Sequence, residues 1–273
     1  MMLSDYVVHG LNHFMKGDNS PSINNNHITS WLYPIPPVPE QKRISEAIDN
    51  LFINIDCLCD AESYIGAKVS EAKTKILELA IHGKLVPQDP SDEPAIELLK
   101  RINPNFKPAH NLQYDGASLS GWEIASFKDI FDSIPSKPYQ VSMSEVKDSG
   151  GFPVISQGSK KIDGYSDRID RVYKTGVPVY VFGDHTKVLK YVTQDFIVGA
   201  DGVKIIKPKW DSKYLFYYLQ YLISKMDNRG YSRNYQYLSS YILHIPPVAE
   251  QNRIVSAIEM LFAELDSIIA LTN

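Results

Sequence analysis

The feature that most constrains this chain is a repeat. Residues 35–56 read IPPVPEQKRISEAIDNLFINID, and residues 245–266 read IPPVAEQNRIVSAIEMLFAELD; at a constant offset of 210, 13 of the 22 positions are identical. Two amphipathic helices of similar composition would share the apolar positions but not Pro-Pro-Val-x-Glu-Gln-x-Arg. An offset of 210 is far too long for a solenoid. It points to a duplicated unit consisting of a domain followed by a helix. Each copy starts its helix in the same way: Pro-Pro fixes an extended approach, and Glu-Gln falls in the first turn, where a carboxylate suits the helix dipole.

The first helix is expected from about Pro39 to His82, with Gly83 as its stop. Its apolar seam, Ile44, Ile48, Leu51, Ile55, Leu58, Ile65, Val69, Ala72, Ile76 and Leu79, alternates steps of four and three, which calls for a helical partner. The second helix repeats the seam at Ile254, Ile258, Leu261, Leu265 and Ile268. The economical arrangement is an antiparallel pair that leaves part of the longer helix uncovered, to bind something else. Cys57 and Cys59 lie within the first helix and read as structural cysteines; two cysteines make neither a disulfide framework nor a zinc site.

The remaining segments follow from this frame. Residues 84–120, rich in Pro, Asp, Asn and Ser, read as a linker with a short helix at Ala95 to Ile102. From Gly121 short β-type runs appear: Pro153 to Ser156, Pro178 to Phe182, Val188 to Val192, Phe196 to Val198 and Val203 to Ile206. An amphipathic helix follows at about Ser212 to Met226. The expected fold class is therefore α+β: a mixed α/β domain over 121–244 with long α-helices, 35–83 and 245–273, forming an antiparallel coiled coil. Residues 1–34 precede the first repeat as 212–244 precede the second, and read as the remnant of another such domain. No apolar run approaches a membrane span and the first residues lack signal-peptide character, so the expected compartment is the cytoplasm.

Catalytic signatures are sparse. The chain has neither a phosphate-binding Gly-x-x-x-x-Gly-Lys loop nor Gly-x-Gly-x-x-Gly, and no nucleophile elbow. His185 stands beside Asp184, but no nucleophile accompanies them. Asn103-Pro104-Asn105-Phe106 reads as a turn, and Glu145-x-Lys147 is too common a spacing to carry weight. Charge says more. The chain's formal net charge is −4, yet residues 150–235 hold 14 Lys and Arg against 8 Asp and no Glu. A basic domain on acidic helices suits a phosphate-bearing ligand. Lys160, Lys161, His185, Lys187, Arg229, Tyr231, Arg233 and Asn234, placed in expected loops, are the candidate DNA contacts, because cations, amides and aromatic rings supply phosphate and base contacts.

With these residues in view, the sequence resembles the specificity subunits of type I restriction–modification systems. The resemblance rests on Pro-Pro-x-x-Glu-Gln-x-Arg-Ile at 36–44 and 246–254, Ala-Ile-His-Gly-Lys-Leu-Val-Pro-Gln at 80–88, and Gly121-Trp122-Glu123. Phe152 to Ser156, Val181 to Thr186 and Phe196 to Gly202 add to it. It implies a non-catalytic subunit that reads double-stranded DNA, without a cofactor of its own; S-adenosylmethionine and ATP chemistry would reside in partner subunits. The helices 39–82 and 249–271 would set a spacing and dock the methyltransferase (modification) subunit, and through it, indirectly, the restriction subunit. A complete subunit carries two target recognition domains and this chain carries one, so it is expected to read half of a bipartite site unless two chains form a homodimer through the helices. Two alternatives stay open: a coiled-coil assembly protein whose mixed domain binds another protein, and a recognition module serving a different enzyme.

Overall fold

The computed structural model describes residues 5–15, 23–30, 32, 35–108, 119–199, 201–227 and 233–271. They divide into two compact units, Met1–Ser63 and Tyr64–Asn273.

The first unit contains α1 (Asp5–Asn12), α2 (Asn25–Thr29) and the start of α3 (Val38–Ile81). Helix α2 is short but well capped: Asn24 Oδ1 accepts the His27 N–H at 3.1 Å, and His27 Nδ1 accepts the Asn24 N–H at 3.4 Å. Helix α3 starts directly after Pro36-Pro37, and Gln41 Nε2 donates to the Pro36 carbonyl at 2.8 Å. Its seam residues Ile44, Ile48, Leu51, Ile55 and Leu58 are all exposed. So are Cys57 and Cys59, both free thiols; the expectation that they are structural fails, since neither is buried.

In the second unit α3 becomes a core element, burying Val69, Leu77, Ala80 and Ile81. It ends in a left-handed cap. Gly83 has φ +64°, its N–H reaches the Ala80 carbonyl at 3.2 Å, and the Lys84 N–H reaches the Leu79 carbonyl at 2.8 Å. A Cβ at Gly83 would lie 2.5 Å from Leu119 Cδ2, so the position excludes larger residues on two grounds.

The stretch expected to be a linker is instead packed. Helix α4 (Ala95–Ile102) buries Ala95 and Leu99, Phe106 is buried as well, and the Ala95 N–H bonds the Gly121 carbonyl at 2.8 Å. Residues 109–118 lie outside the described residues.

The domain body follows in the order β1 (Glu123–Ser126), α5 (Phe127–Ile130), β2 (Phe131–Ile134), β3 (Phe152–Ile155), β4 (Gly164–Ser166), β5 (Val179–Gly183), β6 (Leu189–Val192), β7 (Ile197–Val198), β8 (Val203–Pro208), α6 (Lys213–Ser224), α7 (Asn234–Leu238), β9 (Ile242–Ile245) and α8 (Val248–Ala270). The four-stranded antiparallel sheet has the order β2-β8-β5-β6, and β3 lies between β4 and β7 in a second sheet. Strand β5 is buried throughout, and its period-2 side chains divide between two cores. Tyr180 and Phe182 join Leu215, Leu219, Ile254 and Ile258, whereas Val179 and Val181 join Phe196, Val198 and Ile205. Three of these elements, β1, α7 and β9, are not legible as periodic runs. Strands β1 and β9 pair antiparallel, with Glu123 opposite Ile245, so the domain closes on itself just before α8 departs.

Helix α8 packs antiparallel to the end of α3. Lys73 Nζ bonds Asp266 at 2.5 Å and lies 5.1 Å from the Phe262 ring centroid, while Leu77, Ala80 and Ile81 share a core with Ile254 and Ile258. Sequence number rises along one helix as it falls along the other. No helix among the described residues is long and apolar enough to cross a membrane.

Candidate nucleic-acid interface

Four segments meet at one edge of the domain: 156–163 after β3, 184–188 between β5 and β6, 201–202 before β8, and 225–227 after α6. Side-chain bonds fasten them together. Thr186 Oγ1 donates to the Gln157 carbonyl at 2.5 Å, and Gln157 Nε2 donates to the Asp201 carbonyl at 3.1 Å. The Asp184 N–H bonds the Gly202 carbonyl at 2.8 Å. Lys187, at φ +60°, sends its ammonium to the Asp227 carbonyl at 2.6 Å and the Met226 carbonyl at 3.3 Å. Gly202 (φ +78°) is required here, since a Cβ would lie 2.9 Å from His185 Cδ2.

Asp184 is the hub. It is buried, and its Oδ1 accepts the Tyr235 N–H at 2.7 Å, which fixes the first turn of α7. Its Oδ2 lies 3.8 Å from Lys204 Nζ, and Lys204 stands 5.8 Å from the Tyr235 ring centroid. The sequence reading overlooked Asp184, Lys204, Gln157 and Thr186 as parts of this edge. The signal in the sequence is the run Gly183-Asp184-His185-Thr186, part of the stretch that carries the resemblance.

The candidate contacts fall into distinct places. Lys160 and Lys161 are exposed on the first loop; Lys161 also lines a cavity of about 290 Å³ with Lys190, Tyr191 and Thr193. Arg233 is exposed at the entrance to α7, and His185 is half-buried in the β5–β6 turn. Lys187 joins them in space, but its ammonium ties two loops together. Asn234 must be reassigned. It is buried, and its side-chain amide donates to the Asp184 carbonyl at 2.8 Å, so that amide braces the loop edge. Arg229 and Tyr231 lie outside the described residues.

Behind the loops sits Lys190, buried, with its Nζ 2.8 Å from the Ser156 carbonyl and 3.9 Å from Asp163. Burial pulls its pKa down, while Asp163 partly restores it. Elsewhere in the domain, Glu250 is buried and accepts Trp122 Nε1–H at 2.9 Å. Burial pushes its pKa up, against the pull of that hydrogen bond and of Arg253. No group of three or more His, Cys, Asp or Glu suited to a metal ion occurs among the described residues.

A closed α+β body that offers a braced, partly basic loop edge and is mounted between two helices has the architecture of a recognition module. Residues 119–272 match the model of the type I restriction modification DNA specificity domain, and the chain belongs to that family. It is 53% identical over 60 residues to the specificity subunit of the type I restriction enzyme EcoAI of Escherichia coli, covering 22% of this chain and 8% of that subunit. It is 29% identical over 108 residues to the specificity subunit of EcoR124I/EcoR124II of the same organism, covering 38% of this chain and 26% of the relative. A solved structure concerned with complex assembly and conformational transition of the type I R-M system shares the fold, at TM-score 0.53 and 19% identity, covering 98% of this chain and 63% of the other. The matches thus span less than two thirds of each relative's length.

Proposed function

We propose that the chain is a sequence-reading subunit of a type I restriction–modification complex, in which residues 121–244 bind one half of a bipartite double-stranded DNA target. The observation that carries this reading is the braced loop edge. Thr186, Gln157, Asp184 and Lys187 spend their polar side-chain groups on the backbones of Gln157, Asp201, Tyr235 and Asp227, so that Lys160, Lys161, His185 and Arg233 are held on pre-ordered loops. Pre-ordering lowers the entropy lost on binding. Phosphate contacts from the lysines would position the duplex, and base-edge contacts would specify it.

On this reading the chain performs no reaction itself. Methyl transfer from S-adenosylmethionine and ATP-driven cleavage belong to modification and restriction subunits, and helices 39–82 and 249–271 set the spacing and dock the modification subunit. The test is binding to a randomised duplex library at several salt concentrations. Selection of one short sequence, with affinity falling steeply as salt rises, is the expected result. Absence of DNA binding at low salt would overturn it and favour a coiled-coil assembly protein.

A further inference from the structure

The cavity of about 290 Å³ beside the first loop takes no part in bracing the loop edge. One wall is strand β6, the outermost strand of its sheet, with Thr193 and Gln194 just beyond it; another is Ile155 of β3 with Lys161 and Ile162 of the loop. The volume is near the lower end of those that hold small organic ligands, and the lining has the composition of such sites, an apolar surface with a few polar groups.

Lys190 gives the cavity its chemistry. It lines the space and is only 9% exposed. An ammonium carries three N–H donors, and Lys190 gives one to the Ser156 carbonyl at 2.8 Å. Asp163, at 3.9 Å, lies beyond hydrogen-bond reach, and its carboxylate accepts the Ser156 N–H at 2.8 Å. Among the described residues, two donors of a buried ammonium therefore remain to be used. Burial disfavours the charged form of Lys190, and an anion at those donors would offset that cost. Lys161 brings a second cation to the same cavity, so the two lysines outweigh Asp163.

We propose that this cavity binds a free nucleoside monophosphate. The phosphate monoester takes the ammonium groups of Lys190 and Lys161, the sugar and base lie against Ile155 and Ile162, and the Thr193 hydroxyl and Gln194 amide meet the polar edges. A phosphodiester of duplex DNA does not suit the same place, because the chain leaves it on both sides. A monoester presents a free end to a buried ammonium. The site is thus separate from the duplex contacts, and it stands whether or not the loop edge reads DNA.

Calorimetric titration of the intact chain with adenosine 5′-monophosphate at constant ionic strength tests the site. Saturable binding is expected, with adenosine at least about tenfold weaker, since it forfeits hydrogen bonds to charged groups. Lys190→Met keeps the length of the side chain and should weaken binding by a similar factor. Because it also deletes the bond to Ser156, Thr193→Trp serves as a second variant. Thr193 is exposed, so an indole there fills the cavity from the solvent side, and nucleotide binding should be lost while the urea midpoint stays unaltered. Saturation with a DNA duplex should leave the nucleotide's affinity unchanged. Four outcomes would overturn the site: no saturable binding, adenosine binding as tightly as the monophosphate, normal binding by folded Lys190→Met or Thr193→Trp, or displacement of the nucleotide by the duplex, which would make the cavity part of the DNA surface.

Discussion

Replacing Asn234 separates bracing from contact at the loop edge. Its carboxamide donates to the Asp184 carbonyl at 2.8 Å, and its own N–H donates to the same oxygen at 3.1 Å. Asn234→Ala therefore deletes the amide's bond to Asp184 without orphaning that acceptor. The expected cost is about 1 kcal/mol for the bond and up to about 1 kcal/mol for the small void left at a site only 2% exposed. For a unit of this size that lowers Tm by roughly 2–8 °C. Asn234→Asp is isosteric but turns a buried carboxylate toward the Asp184 carbonyl, with the Asp184 carboxylate close by, so it should cost about 3 kcal/mol or more. Urea unfolding followed by tryptophan fluorescence measures both variants. In parallel, DNA affinity is titrated against salt. Because Asn234→Ala removes no charge, log K against log salt should keep its slope, and affinity should fall severalfold at most, through loosening of α7. A variant with wild-type stability and a tenfold or greater loss of DNA affinity would refute the bracing role and return Asn234 to the contact surface.

Three further outcomes follow from the same geometry. Lys160→Ala and Lys161→Ala should each lower the salt slope by about 0.9 if the ammonium meets a phosphate of B-form DNA, whereas Arg233→Ala should cost about 1–3 kcal/mol and relax sequence preference if it reads a base; unchanged slope, affinity and preference would remove the residue from the surface. Gly202→Ala sets an L-residue at φ +78° with its Cβ 2.9 Å from His185, so it should destabilise by about 1–3 kcal/mol, and an unaltered urea midpoint would show that the loop shifts freely. Glu250 holds its proton to higher pH in the folded protein than in the unfolded chain, so its contribution to stability declines as pH climbs from the ordinary carboxylate pKa through the raised one. Glu250→Gln keeps an acceptor for Trp122 and should match wild type in acid but exceed it in thermal stability at pH 7; equal stability across that range would mean that Arg253 fully compensates the buried charge.

How far the sequence alone reaches can be seen residue by residue. Helices α3 and α8 were legible because a heptad seam and a 13-position identity each span many residues. Strands β1 and β9 were not: each has four residues, and their pairing joins Glu123 to Ile245 across the whole domain, so no local period announces it. At 84–120 the short helix Ala95–Ile102 was legible, but its packing was not: Asp92 holds Arg253, and α4 buries Leu99. The same gap explains the candidate interface. Charge and loop placement pointed to this edge but could not separate Lys160 from Lys187, or Arg233 from Asn234. Whether a polar group faces outward is decided by its tertiary neighbour, which for Asn234 is Asp184, 50 positions away. The residues thereby withdrawn from the surface are not losses to recognition. An exposed lysine on an unbraced loop must be ordered at the moment of binding, and the bonds made by Asn234, Lys187 and Thr186 meet that ordering cost during folding instead.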